Sequence, residues 1–263
     1  MKPLLDFPAN ALRDIHVVLF DIDDTLTTDG HLTAAAYTSL EALKESGFIV
    51  VPITGRPAGW CDHIARMWPV DGVVGENGAF YFCFDRAAKK MQQRFVKDTA
   101  TRKRDRETLS TIATNILREV PGCALASDQA YREADIAIDF CEDVPPLPPH
   151  DVERIKHLME SAGLTAKISS IHVNGWLGDY DKLSTTHLFM REQFGTELDQ
   201  QKHECIFIGD SPNDAPMFAY FPHSVGVANI ADLLDLLSSK PAYVTEMRCG
   251  AGFSEVATKL LSR

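Results

Sequence analysis

Three carboxylates, Asp21, Asp23 and Asp24, follow directly on the apolar run His16–Phe20 (HVVLF). Like charges at that spacing repel, and a carboxylate at the edge of a core is costly unless something offsets it. Either they reach solvent on a loop, or they surround a cation and do chemistry. A second acidic tip, GDSPND with Asp210, Asn213 and Asp214, ends the apolar run CIFI, and Thr54 follows FIVVPI. A cluster of Asp21, Asp23, Asp210 and Asp214 is tolerable around a hard dication, and an oxygen-rich, partly hydrated set suits Mg²⁺. Helix capping is the plain alternative for Asp24 and Asp214. For Asp21 and Asp210 together it is a poor explanation.

The elements that must position these groups read as alternating strands and helices. His16–Phe20 is continuously apolar, as expected of a strand covered on both faces. A helix pattern over Thr33–Ser46 stops at Gly47, and Phe48–Ile53 forms a second buried strand ending in TGR. Arg56–Trp68 reads as a helix with Pro57 in its first turn, and Asp71–Val74 as a third strand. This βαβαβ order implies right-handed crossovers and a parallel sheet. The middle of the chain is different. A long helix pattern at Thr101–Val120 precedes the strands CALAS and DIAIDF; VPPLPPH then leads into a helix at Asp151–Ala162 and the strands TAKIS and IHVNGWL. That order predicts a small α+β unit with an antiparallel sheet. After Gly178 the α/β rhythm returns with a helix at Lys182–Phe194, the ECIFIGDSPND strand, HSVGVAN, a helix at Ile230–Leu237 and AYVT. The expected fold is α/β, a Rossmann-like doubly wound parallel core over 1–84 and 180–263, with residues 85–179 inserted. Ligands of such sheets bind beyond the carboxyl ends of the strands. Asp21, Thr54 and Asp210 are therefore expected on one rim.

Composition narrows the function. The 263 residues are 45% hydrophobic, enough for a real core. No apolar run approaches bilayer length and the N-terminus lacks a signal-peptide layout, so a soluble, cytoplasmic protein is expected. The net charge of -11 argues against nucleic-acid binding. One window, residues 86–106, holds nine Lys or Arg against two Asp. It reads first as a solvated face and second as a basic lip that draws in an anionic substrate. The six cysteines are scattered without metal-ligand spacing and read as reduced thiols.

With these motifs assembled, the sequence resembles the haloacid dehalogenase-like (HAD) hydrolase superfamily. Within it, the likeness is to the phosphatases with the larger α+β cap: Cof-type, sucrose-phosphatase-like and mannosyl-3-phosphoglycerate phosphatase-like. DIDDTLT, ITGR, the Lys182 of YDKLST and GDSPNDAPMF match the four family motifs in order, and ENGA at Glu76–Ala79 and GAGFSEVATKLL add to the likeness. The resemblance implies a Mg²⁺-dependent phosphomonoester hydrolase acting on a small phosphorylated metabolite, a sugar phosphate by preference. Asp21 would be the nucleophile and Asp23 the general acid and base, its pKa raised by dense negative charge. Mg²⁺ would be held by Asp21, the Asp23 backbone carbonyl and Asp210. Thr54 would offer its hydroxyl and N–H to phosphoryl oxygens, Lys182 would neutralise the Asp21/phosphate pair, and Asn213 and Asp214 would support. Gly55 and Arg56, within ITGR, are further candidates for phosphate or substrate contact. Many relatives carry Gly after the third-motif Lys, where this chain has Leu183.

Three rival readings differ in what they explain. A calcium-binding loop fails because Leu26 and Leu32 occupy its required Gly and Glu positions. A DxD metal-dependent glycosyltransferase leaves ITGR, Lys182 and GDSPND unexplained. A phosphomutase of the same superfamily shares the core and a similar cap, and the sequence does not separate it from a phosphatase. Oligomeric state is not legible. Asn77-Gly78 reads as a tight hairpin turn before it reads as a substrate contact. Arg56 suits a substrate oxyanion or a nearby acid equally. His172 and Trp176 fall on one face of a strand, facing either the cleft or the inserted unit's core. The histidines show no zinc-binding pattern.

Overall fold

The structure, a computed structural model, describes residues 1–263. The chain begins with a two-residue strand β1 (Lys2–Pro3) and helix α1 (Ala9–Asp14), then alternates β2 (Val17–Phe20), α2 (Ala34–Glu45), β3 (Ile49–Pro52) and α3 (Ala58–Met67). An antiparallel hairpin unit follows: β4 (Val73–Gly75), β5 (Phe80–Asp85) and β6 (Lys90–Phe95). Next come α4 (Thr99–Glu119), β7 (Ala124–Leu125), β8 (Asp135–Asp139), α5 (Pro149–Ser161), β9 (Thr165–Ile168) and β10 (His172–Trp176). The chain closes with α6 (Lys182–Phe194), α7 (Leu198–Gln201), β11 (Cys205–Gly209), α8 (Ala215–Tyr220), β12 (Ser224–Gly226), β13 (Tyr243–Val244) and α9 (Cys249–Leu261).

The core is a six-stranded parallel sheet in the order β1-β13-β12-β11-β2-β3. Strands β2 and β11 at its middle have no polar side chain because both faces are covered. Val18 and Phe20 of β2 face α2 and α9, packing with Leu40, Leu43 and Phe253, whereas Val17 and Leu19 face α6 and α8 with Phe189 and Met217. This is the physical content of the continuous runs in the sequence. The mixed α/β architecture, a Rossmann-like core with a cap, is as expected.

Three details differ from the sequence reading. The third strand of the βαβαβ run is not a ladder member of the parallel sheet. It touches the sheet through one bridge, Ile53–Val74, and pairs antiparallel with β5 instead. The turn Glu76–Gly78 reverses the chain too soon for a crossover, so the tight-turn reading of Asn77-Gly78 holds. The segment expected as a helix at Ile230–Leu237 is a run of 3₁₀ turns over Ala228–Leu236. Asp24, a capping candidate, caps nothing; the next helix begins at Ala34, with Thr33 as its N-cap.

The cap is a second, antiparallel sheet, β7-β8-β10-β9. One face is apolar, with Ile136, Ile138 and Val173 packed under Leu109 and Ile116 of α4 and Ile155 and Met159 of α5. The other carries Asp135, Asp139, His172 and Asn174, all buried. A buried polar face must find partners, and the cap itself supplies them: Asp135 accepts from Arg132 and Asn174, Asp139 from the Cys141, Glu142 and Asp143 N–H groups, and His172 lies against Glu142. Two groups tie the cap to the core. Arg132 donates to the Gly55 carbonyl at 2.9 Å and pairs with Asp128 and Asp135. Glu76, wholly buried, reaches from the core to accept from the Glu133 and Ala134 N–H groups and from Ala58 N–H. Burial and Asp135 push its pKa up to about 8, against Arg132 and those N–H donors.

Three donors on two oxygens define a test. Glu76→Gln turns an NH₂ toward at least one of these N–H groups, and the variant is expected to lose about 1–3 kcal/mol of stability. Urea denaturation reads this directly; a loss under about 0.5 kcal/mol would mean that Glu76 does not pin cap to core.

Candidate active site

The predicted rim forms. Asp21 lies one residue beyond β2, its N–H bonded to the Ile208 carbonyl at 2.9 Å, and Asp210 lies one residue beyond β11. Asp214 sits in the 3₁₀ turn after β11, whose start it caps by accepting from the Asp210 and Ser211 N–H groups. Gly209 allows this, since a Cβ there would stand 2.4 Å from the Asp214 carboxylate. Lys182, the first residue of α6, is 2% exposed and donates to Asp21 at 2.9 Å and Asp214 at 2.8 Å. Asp181 caps that helix in a capping box with Ser184, fixing where the Lys182 side chain starts. Gly78 (φ +106°) makes room for it, because a Cβ would fall 2.0 Å from the Asp181 carbonyl oxygen. Leu183 packs on the apolar layer beneath α6, so its presence leaves the Lys182 contacts intact.

Carboxylate oxygens of Asp21, Asp210 and Asp214 lie within 4.8 Å of one another, all buried. One ammonium among three carboxylates leaves an excess of negative charge. Burial pushes Asp21 up to about 7, with Lys182 opposing, and burial together with Asp21 and Asp214 pushes Asp210 well above the usual carboxylate range. The same neighbours act on Lys182 in reverse: burial would lower its pKa, but Asp21 and Asp214 outweigh that and raise it. Such a site gains from a divalent cation, and its all-oxygen donor set fits a hard one. One Asp214 oxygen accepts from Lys182 and the other from the Asp210 and Ser211 N–H groups, so this carboxylate orients both Lys182 and the Asp210 loop. Asp210 is steadied by Thr25 and Asn229 at 3.2 Å each.

Asp23 is placed differently from the expectation. Its nearest charge is not a carboxylate but Arg56, which grips it with Nε and Nη2 at 2.9 and 2.7 Å. Arg56 also reaches the cap, bonding Glu142 at 2.7 Å and Asp128 at 3.4 Å. Of its two candidate roles, pairing with acids is the one the geometry displays. Burial alone would raise the Glu142 carboxyl, but His172 and Arg56 hold it down at about 2. Thr54 is wholly buried and departs from expectation in one respect: its backbone N–H is committed to the Val74 carbonyl at 2.9 Å. The Gly55 N–H takes no acceptor from the protein and is free for a ligand, as are the Ile22 and Asp23 N–H groups beyond β2.

The space above Asp21 is lined by Asp23, Gly55, Arg56 and Asn213 from the core and by His172 and Asn174 from the cap. Sequence reasoning singled out His172 but missed Asn174, which alternation places on the same strand face. Trp176 instead stacks on Tyr180, with its N–H on the Tyr180 carbonyl. Arg132 and Glu142 carried no sequence signal. The basic window contributes nothing to this lining. Lys97 pairs with Asp105, Arg106 with Glu133 and Arg94 with Glu192, as a solvated face would. All six cysteines are free, and no helix is long and apolar enough to cross a membrane.

A parallel core with aspartates at two strand ends, a lysine between them and a cap overhead defines a class. A family model of haloacid dehalogenase-like hydrolases matches residues 15–221, and the chain belongs to that family. The chain is 26% identical over 231 residues to a phosphoglycolate phosphatase of Thermoplasma acidophilum, covering 85% of this chain and 90% of that protein. A solved Thermoplasma acidophilum structure aligns with TM-score 0.69 at 20% identity, over 94% of this chain and 98% of that one. The sucrose-phosphatase of Synechocystis, solved with sucrose and phosphate, aligns with TM-score 0.61 at 16% identity, over 93% and 97%. The protein is thus a phosphatase-type hydrolase of the HAD superfamily.

Proposed function

We propose that the protein is a Mg²⁺-dependent phosphomonoester hydrolase working through an aspartyl-phosphate on Asp21. The observation that carries this reading is the buried Asp21 carboxylate, held by Lys182 beside Asp210 and Asp214 on the strand-end rim. An Asp21 oxygen attacks phosphorus, forming a P–O bond as the bond to the leaving alcohol breaks. Asp23 gives the departing oxygen its proton, then takes one from the water that attacks phosphorus and frees Asp21. For that, Arg56 must release Asp23, and its Glu142 and Asp128 contacts are where it can go. Lys182 offsets charge on Asp21 and the phosphoryl group. The Thr54 hydroxyl and Gly55 N–H hold phosphoryl oxygens. Asp21, the Asp23 carbonyl and Asp210 would hold Mg²⁺, which lets one anion approach another. Residues 85–179 act as the cap that covers the leaving group and excludes bulk water.

A sugar phosphate is the favoured substrate. Pooled with it for testing is phosphoglycolate, the substrate in the name of the Thermoplasma relative. Phosphate release is measured from a sugar-phosphate panel, phosphoglycolate and p-nitrophenyl phosphate. Release is expected with Mg²⁺ and to drop at least about 100-fold with EDTA. Release unaffected by chelation would sink the metal assignment. Isomerised sugar phosphate without free phosphate would decide for a phosphomutase.

A further inference from the structure

Asn77 of the ENGA turn is a side-chain donor with no part in the mechanism above. Asn77 lies in the Glu76–Gly78 turn and is 2% exposed, and its backbone N–H is fixed on the Thr54 carbonyl at 3.1 Å. Its side-chain orientation is set by a relay. Ser211 Oγ donates to Asn213 Oδ1 at 2.8 Å, and Asn213 Nδ2 donates to Asn77 Oδ1 at 3.3 Å. Each amide oxygen in the relay is thereby occupied. Asn77 Nδ2 is left at its end, fully buried and with no partner. An orphaned buried N–H₂ is costly and calls for an acceptor.

Its surroundings say what kind of acceptor. Nδ2 lies 3.2 Å from where a Cβ of Gly55 would stand, and Gly55 lines the space over Asp21. The Gly55 N–H there is also unpaired. The Thr54 hydroxyl is adjacent in the chain, and Asn213, the other end of the amide pair, lines the same space. A side chain at position 55 would fill the cradle between Asn77 and the pocket. The Asn77 Nδ2 and Gly55 N–H donors, both without a protein acceptor and close to one another, share a single complement, an anionic oxygen. The turn holds Asn77 there at φ +53°, a conformation Asn, Asp and Gly accept more readily than other residues.

We infer that Asn77 is a catalytic residue whose Nδ2 binds a non-bridging phosphoryl oxygen, together with the Gly55 N–H. This rests on the hydrolase reading, so the test separates the two. Inorganic phosphate binding in the presence of Mg²⁺ is measured by calorimetry, independent of turnover, for wild type, Asn77→Gly and Asn77→Asp. Thermal melts establish that the variants are folded. Both substitutions keep the left-handed turn. Gly removes the amide, whereas Asp keeps the acceptor for Asn213 and replaces the free N–H₂ by oxygen. Phosphate affinity is expected to fall about 10- to 100-fold in Asn77→Gly and further in Asn77→Asp, as does kcat/KM. Affinities within twofold of wild type overturn the inference. So does a larger loss in Gly than in Asp, which would mean that Asn77 serves only to hold Asn213. Phosphate bound with the expected ranking by a protein that turns nothing over supports Asn77 and sinks the hydrolase alone. No phosphate binding by wild type sinks both.

Discussion

Asp21→Asn is expected to abolish turnover while making the metal-free protein more stable. The loss should be about 10⁴-fold or more, since an amide oxygen cannot replace the attacking carboxylate. The gain follows from the charge balance around Lys182. Asp21 is 4% exposed and shares the site with Asp210, Asp214 and a single ammonium, and its pKa is pushed up to about 7. The folded protein therefore holds a proton there that the unfolded chain has already lost above pH 4. Wild-type stability without metal should fall as pH rises from about 4 through 7, by roughly 2–4 kcal/mol. The Asn variant lacks that slope and should exceed wild type by an amount that grows over the same window. Mg²⁺ reverses the comparison, raising the Tm of wild type more than that of the variant, because a dication stabilises the ionised cluster. Urea denaturation at pH 5 and pH 8, with and without Mg²⁺, checks all of this. A variant less stable than wild type at pH 8 without metal would mean that Asp21 is a structural partner of Lys182 first and a strained nucleophile second. Function costing stability at the residue that reacts is a common pattern.

How much of this was legible in the sequence follows from what each feature depends on. The rim was legible because strands buried on both faces must be apolar throughout. The polar residue ending such a run, Asp21 or Asp210, is then conspicuous. Strand β1 was not, since two residues, Lys2 and Pro3, carry no periodicity and pair only because the β13 edge is free. Strand β4 was read in the wrong partnership because pairing direction depends on the turn after it, where non-glycine Glu76 and Asn77 adopt left-handed φ. The cap's half of the site was largely hidden. Asp128, Arg132 and Glu142 sit in loops, and their contacts with Arg56 and the Gly55 carbonyl form only where the cap docks on the core. Arg56 illustrates the boundary: its presence was plain, but which acids it would grip depended on where the cap comes to rest. The Thr54 N–H was assigned to phosphate by likeness, yet the Val74 carbonyl claims it, and that contact exists only because β4 lies beside β3.

Lys182→Ala should act on stability in the opposite direction to Asp21→Asn, though both end catalysis. Removing the ammonium leaves Asp21, Asp210 and Asp214 as buried carboxylates with no cation among them. Breaking a buried pair from one side costs about 3–5 kcal/mol, because the orphaned charge has lost both water and partner. The cost must depend on pH with a definite sign. Without Lys182 the pKa of Asp21, already pushed up by burial, rises further above its unfolded value. The folded state then takes up protons more readily, and the deficit shrinks as pH falls. The variant should therefore lie closer to wild type at pH 5 than at pH 8. Mg²⁺ should recover part of the stability, since it supplies the missing positive charge. It should not recover turnover, because the metal cannot occupy the place where Lys182 meets Asp21 and the phosphoryl oxygens. Turnover is expected to drop at least about 10³-fold at every pH and Mg²⁺ concentration. Urea denaturation beside a phosphate-release assay separates the outcomes. Full stability at pH 8 would show that water or a neighbouring side chain compensates the carboxylates. Activity above a tenth of wild type would remove Lys182 from the mechanism, and Asp21 would then need another source of charge neutralisation to meet a phosphate dianion.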